Sequence, residues 1–235
     1  LIASATDVAA AALKLAETPL RGRWPEWRSA GRADYEAFSS PVAVTGQVNL
    51  SEIFAGLGAH MPADTIICNG AGNYAAWLHR FHRHRRPHTQ LAPTSGAMGY
   101  GVPAAVAAKL VHPDREVICV SGDGCFLMTG QEIATAVQHD AGVIFIVVDN
   151  CSYGTIRMHQ EKEYPGRVIA TNLRNPDFAA YARAFGAWAI TVESTEAFKP
   201  ALAQARECGT VALIHVKTSV QDIAPGRTLP AAESQ

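Results

Sequence analysis

The chain has no C-x-x-C pair, no apolar run of about 18 residues, and almost no net charge, with 20 Lys and Arg against 21 Asp and Glu. Near-neutrality removes the electrostatic reason to expect nucleic acid or an anionic membrane as a partner. Without a long apolar run there is no candidate membrane-spanning helix. Residues 3–16 are alanine-rich but include Asp7 and Lys14 and have no basic start, so they predict a helix rather than a signal peptide. The five cysteines, Cys68, Cys119, Cys125, Cys151 and Cys208, are odd in number and lack metal-ligand spacing. Cys68 and Cys119 sit in apolar runs, where cysteine acts as a small hydrophobe, and together these features predict a reducing, cytoplasmic setting. Internal repeats and low-complexity segments are also absent.

What is present is a large apolar inventory, 48% of 235 residues, enough for one large domain that needs neither disulfides nor a structural metal. Residues 1–17 predict one helix. Residues 18–47, polar and bearing Arg21, Arg23, Trp24, Trp27 and Arg28, predict a connector that packs on a neighbour. Asn49 or Ser51 then caps a helical pattern. Short apolar runs follow at 65–68, 117–120, 143–148 and 211–216, with a fifth strand expected at 188–192. Continuous β-branched runs, not alternating ones, mark strands buried on both faces. Helical stretches at 97–110, 128–138, 177–185 and 195–206 separate them. This alternation predicts an α/β fold, a doubly wound parallel sheet with helices on both faces, over residues 48–229. Residues 230–235 are expected to be a tail.

Ligands in such sheets bind at the carboxyl ends of the strands. Three strand ends are rich in Gly and Asn: 69–73, 121–125 and 149–154. In the second, Gly122 and Gly124 flank Asp123, so the backbone can turn sharply and project a carboxylate. Alone this reads more readily as an N-capping aspartate at an ordinary strand–helix turn. One crossover unit later, Asp149-Asn150 closes the next buried strand. Neighbouring strand ends would let Asp123 and Asn150 offer two oxygens to one small cation, and Mg²⁺ prefers such oxygen ligands. Gly154 and Thr155, just beyond, can present backbone N–H groups to phosphate.

Gly-Asp-Gly followed about two dozen residues later by an Asn-Asn-like pair resembles the signature of thiamine-diphosphate-dependent enzymes. Here Asp149 replaces the usual first asparagine, while the metal-ligating second one is kept as Asn150. The resemblance further implies that Ser152 gives its backbone carbonyl to the metal and that Cys125 lies against the cofactor. The stretch Ser95-Gly96-Ala97-Met98-Gly99-Tyr100-Gly101 is similar to the cofactor-bending segment of the acetolactate synthase branch. It implies Met98 as the wedge between the cofactor rings and the Gly96 carbonyl as acceptor for the 4′-amino group. Without that resemblance Met98 reads equally well as helix core. Asn69-Gly70-Ala71-Gly72-Asn73-Tyr74 resembles the loop over the diphosphate, with Gly70 and Gly72 at the turn and Asn73 and Tyr74 as polar contacts.

The resemblance spans residues 48–229 and implies thiamine diphosphate and Mg²⁺ as cofactors and a 2-oxo acid as substrate, decarboxylated with or without carboligation. It also implies an essential glutamate on the pyrimidine-binding domain of a partner subunit in a homodimer or homotetramer. No strand-end glutamate stands here in such a context; Glu52 and Glu132 lie on helical stretches. By the same comparison, residues 1–17 look like the last helix of a middle domain, and the chain like a C-terminal fragment inactive alone. A benzoylformate-type decarboxylase and a non-catalytic module keeping the fold are the alternatives. The run Arg80-Phe81-His82-Arg83-His84-Arg85-Arg86-Pro87-His88 reads as solvated or subunit-facing surface. Residues 157–166, including Arg157, Met158 and His159, read as a flap beside the substrate or as plain surface.

Overall fold

The computed structural model describes residues 4–17 and 24–229, which divide between two compact units at Ser39 and Ser40. Arg21 and Arg23 of the expected connector and the expected tail, 230–235, lie outside the described residues. The first unit holds helices α1 (Ala5–Glu17) and α2 (Pro25–Phe38), neither with a buried residue. Pro25 starts α2 where a missing N–H costs nothing, and Arg32 and Glu36 pair at 2.7 Å one turn apart. A 14-residue helix therefore occupies much of the expected connector. Residues 42–46 belong with the second unit: the Val42 N–H donates to Ser51 Oγ, and the Thr45 and Gly46 N–H groups donate to Asp222.

The second unit opens with α3 (Leu50–Leu57), capped by Asn49, whose side chain accepts from the Ser51 and Glu52 N–H groups. Six parallel strands follow: β1 (Ile66–Asn69), β2 (Gln90–Leu91), β3 (Val117–Gly122), β4 (Val143–Asp149), β5 (Trp188–Val192) and β6 (Ala212–Lys217). Their order across the sheet is β2-β1-β3-β4-β6-β5. Of the four interior strands, β1, β3 and β4 are buried throughout, as their unbroken apolar runs require.

Alternate residues serve opposite faces. Ile67, Ile118, Ile146 and Ile214 pack with Phe54 of α3, with Trp77 and Phe81 of α4 (Asn73–Phe81), and with Phe198 and Leu202 of α10 (Thr195–Glu207). Cys68, Cys119, Phe145 and Leu213 pack with Val102 and Val106 of α5 (Gly101–Val111), Ile133 of α7 (Ile133–Gln138) and Phe178 of α9 (Phe178–Ala184). The two clusters make the sheet doubly wound, as the sequence predicts. Two further helices complete it, the four-residue α6 (Asp123–Phe126) directly after β3 and α8 (Gly154–Glu163) in the segment that follows β4.

The helix expected over 97–110 begins only at Gly101, because Gly96 and Gly99 have φ of +68° and +82° and cannot continue a right-handed helix. Met98 therefore sits in a loop, which removes its reading as helix core. Likewise the stretch 128–138 is a 3₁₀ turn, Gly130–Glu132, followed by α7. Among the described residues no helix is long and apolar enough to cross a membrane.

Candidate cofactor and metal site

Strands β1, β3 and β4 are neighbours, so their three carboxyl ends open onto one cleft. Register fixes the heart of it. Gly122 on β3 pairs with Val148 on β4, so Asp123 and Asn150 leave adjacent strand ends almost side by side. The Ser152 N–H reaches both of them, at 3.3 Å from Asp123 Oδ2 and 3.1 Å from Asn150 Oδ1. One N–H thus draws the two side-chain oxygens toward a common point.

The glycines flanking Asp123 are there for close approach. A Cβ on Gly122 would stand 2.6 Å from the Tyr74 ring, and one on Gly124 would stand 2.6 Å from the Tyr153 ring. Any side chain at either place would push an aromatic ring out of the cleft wall.

Asp123 is buried, with Oδ1 accepting from the Gly124 N–H at 2.8 Å. Its carboxyl is raised to about 6: burial is the largest cause and nearby Asp149 adds to it, while the bonds from Asn175 and Gly124 pull the other way. Asp149 faces inward and does not line the cleft. Its Oδ1 accepts from the Cys151 N–H at 2.9 Å and from Asn175 Nδ2 at 2.7 Å, and its Oδ2 from His215 Nε2 at 2.8 Å. Burial works to raise this carboxyl too, but the hydrogen bonds, led by that from His215, outweigh it and hold it down at about 2. Two neighbouring buried carboxyls are thus pushed apart in acidity, with Asp149 the firmly ionised one.

Of the sequence-predicted residues, Gly72, Asn73, Tyr74, Met98, Gly122, Asp123, Gly124, Cys125, Asn150, Ser152, Gly154 and Thr155 all line this cleft. Gly70 and Gly96 do not. Gly70 lies beneath it, in contact with the space taken by Cys125 Sγ, and Gly96 faces open space. Several of these side chains are engaged within the protein. The Tyr74 hydroxyl, expected as a polar phosphate contact, donates instead to Cys125 Sγ at 3.3 Å, leaving its ring as wall. Cys125 Sγ also accepts from the Gly99 N–H at 3.1 Å, so its side chain ties the Met98 loop to the Asp123 turn. Asn73, expected as a polar phosphate contact, accepts through Oδ1 from the Thr155 hydroxyl at 2.9 Å, which leaves the Thr155 backbone N–H unaffected. The Ser152 carbonyl accepts from the Gly154 N–H at 2.8 Å and retains a second lone pair. Glu52 and Glu132 do not line the cleft.

The sequence reading missed the far wall, built by Thr218, Asp222 and Ile223 after β6. The Thr218 N–H donates to the Asp149 carbonyl at 2.7 Å. Asp222 clasps the backbone of Thr45 and Gly46 at 2.8 and 2.9 Å, and the Ile223 carbonyl accepts from Asn73 Nδ2 at 3.0 Å. Segment 157–163, left open between flap and surface, is the body of α8. It has no buried residue, and Ile156 in its first turn reaches the cleft.

Residues 70–216 match the family described as thiamine pyrophosphate enzyme, C-terminal TPP binding domain. The chain belongs to that family. As a thiamine-pyrophosphate-binding domain it is 39% identical over 150 residues to the acetolactate synthase large subunit of Corynebacterium glutamicum, covering 61% of this chain and 24% of that protein. The mitochondrial acetolactate synthase catalytic subunit of Aspergillus candidus is 32% identical over 209 residues, 87% of this chain and 29% of that protein. A solved structure, the Rhodococcus jostii RHA1 thiamine diphosphate-dependent 4-hydroxybenzoylformate decarboxylase, superposes with a TM-score of 0.71 at 28% identity. That match covers 77% of this chain and 34% of the other. The thiamine-pyrophosphate-binding domain thus spans between about a quarter and a third of these relatives' length.

Proposed function

We propose that this domain anchors thiamine diphosphate through one Mg²⁺ held by Asp123, Asn150 and the Ser152 carbonyl, in an enzyme that acts on a 2-oxo acid. The observation carrying this reading is the convergence of Asp123 and Asn150 on the single Ser152 N–H. The donor set fits the ion: one carboxylate, one amide oxygen and one carbonyl are hard ligands, and diphosphate oxygens and water would complete an octahedron. A dication beside Asp123 favours its ionised form, opposing the burial that raises its pKa.

Bound thiamine diphosphate supplies a nucleophilic ring carbon that attacks the carbonyl of a 2-oxo acid and allows CO₂ to leave. The chain's own residues do the positioning. Asp123 would hold the dication that offsets the diphosphate charge, and Gly122 and Gly124 keep Tyr74 and Tyr153 in place as walls. Thr155 at the start of α8 offers its N–H group to the diphosphate, while the Gly154 N–H holds the Ser152 carbonyl in place. Met98, 36% exposed on a loop held by Cys125, stands ready to support the bent cofactor. The Gly96 carbonyl, four residues ahead of Tyr100, is proposed as acceptor for the pyrimidine amino group.

Decarboxylation with or without carboligation is the reading supported by acetolactate synthase relatives, and simple decarboxylation by the 4-hydroxybenzoylformate decarboxylase neighbour. A pyrimidine-binding domain of a partner subunit would bring the glutamate, in a homodimer or homotetramer. Residues 1–17 are proposed as the end of a preceding middle domain. Five cysteines without a disulfide support a reducing, cytoplasmic setting.

Calorimetric titration of the protein with thiamine diphosphate, with and without Mg²⁺, tests the site. Asp123→Ala is expected to abolish the Mg²⁺-dependent part of the affinity. Unchanged binding would overturn the assignment.

A further inference from the structure

Asp123 and Asp149 are joined by one group that is in neither motif. Asn175 Nδ2 donates to Asp123 Oδ2 at 2.8 Å and to Asp149 Oδ1 at 2.7 Å. An amide NH₂ carries two hydrogens, and each here serves one carboxylate. Since both neighbours are acceptors, the nitrogen must be the atom that faces them. We infer that Asn175 is a positioning residue that fixes the Asp123 carboxylate for a divalent cation by bridging it to Asp149. The inference deepens the reading of the site above and rests on it.

The chain around Asn175 is built to hold that side chain still. On one side, residues 171–173 are stitched to the metal turn: the Tyr153 N–H donates to the Thr171 carbonyl and the Leu173 N–H to the Cys151 carbonyl, both at 2.8 Å. On the other, Pro176 restricts Asn175 to extended backbone, and Asp177 caps α9 by accepting from the Ala179 and Ala180 N–H groups. Asn175 is therefore pinned from both directions within two residues.

The chemistry also favours asparagine over a charged donor. Asp149 is already paired with His215, so a lysine or arginine at 175 would cancel the charge that a dication needs on Asp123. A neutral NH₂ screens the two carboxylates from one another and leaves that charge available. Support of this kind, from groups that hold a ligand rather than touch the metal, commonly changes metal affinity about 10–100-fold.

The test uses the protein as the cell makes it, with Mn²⁺ as a paramagnetic stand-in for Mg²⁺ and saturating thiamine diphosphate. Mn²⁺ binding is read by electron paramagnetic resonance. Asn175→Ala is expected to weaken Mn²⁺ binding about 10–100-fold. Adding Asp149→Asn to that variant is expected to recover most of the loss, because it removes the neighbouring negative charge that Asn175 otherwise shields from Asp123. A generally loosened fold would not be repaired by that second change. Asp123→Ala serves as the reference. If it abolishes binding while Asn175→Ala leaves it at the parent value, or if Asp149→Asn rescues nothing, the bridging role is overturned and the metal site stands. If Asp123→Ala itself binds normally, the site reading fails instead. Should Asn175→Ala not fold, Asn175→Ser, with one hydrogen for two acceptors, is titrated in its place against the same outcomes.

Discussion

Thr155 Oγ1 donates to Asn73 Oδ1 at 2.9 Å, joining the helix start after β4 to the helix start after β1 across 82 positions of sequence. The bond closes one side of the cleft, and Asn73 extends it by donating to the Ile223 carbonyl. Thr155→Val is expected to lower stability by about 1 kcal/mol, the ordinary net worth of one such bond. A double-mutant cycle with Asn73→Ala in urea denaturation should give a coupling of about 0.5–1.5 kcal/mol. Strict additivity would mean that the bond is not formed in solution.

Met98→Ala should separate binding from chemistry. Met98 lines the cleft but is absent from the Asp123–Asn150 group, so affinity for thiamine diphosphate should stay close to the parent value. Loss of the wedge should slow hydrogen–deuterium exchange at the reactive ring carbon about 10–100-fold, as misplacement of reacting groups does. Exchange at the parent rate would remove Met98 from that role.

Two glycine-to-alanine changes should move stability in opposite directions. A Cβ on Gly101 would stand 2.8 Å from the Gly70 nitrogen and 2.9 Å from the Asn69 carbonyl carbon, both backbone atoms that cannot step aside. Gly101→Ala should cost about 1–3 kcal/mol. Gly56, inside α3, has nothing within 4 Å of its added Cβ, and Gly56→Ala should gain about 0.5–1 kcal/mol. Chemical denaturation of both variants checks the pair.

His82 should make stability fall on the acid side. Burial lowers its pKa to about 4, repulsion from His84 and Arg85 adds to this, and a bond to the Phe54 backbone opposes it. Nδ1 is buried without a hydrogen-bond partner. The unfolded chain takes up this proton near 6.5 and the folded one only near 4, so stability present above pH 6.5 is lost as pH falls between those values. His82→Gln should flatten that part of the curve by about 1–2 kcal/mol, allowing for the ring's partial exposure. Thermal melts at pH 7, 5.5 and 4 would read it, and parallel curves for the two proteins would refute it.

The strands that bury both faces were legible in sequence, because an unbroken β-branched run such as 143–148 has few other uses. Gly122-Asp123-Gly124 and Asn150 were legible too, since spacing by one crossover unit is set by sheet geometry. β2 was not: Gln90 and Leu91 are exposed and form a strand only because the edge of β1 offers them partners. α8 was missed for a related reason, as a helix with no buried residue has no apolar period to read. α4 did carry a signal, Tyr74, Trp77, Leu78 and Phe81 at helical spacing, but the Gly-rich turn before it drew the reading toward a loop. Asn175 and Asp222 had no signal of this kind. Each is a polar residue in an irregular segment whose partners lie tens of residues away or more, and no local pattern encodes such a meeting.

The clasp of Asp222 on Thr45 and Gly46 has a consequence for biosynthesis. A ribosome that has released the chain through Ser152 has already made all three proposed cation ligands, yet the wall bearing Thr218 and Ile223 is still to be translated. Closure of that wall is therefore postponed until residues 218–223 have emerged and folded back over residues 45–46.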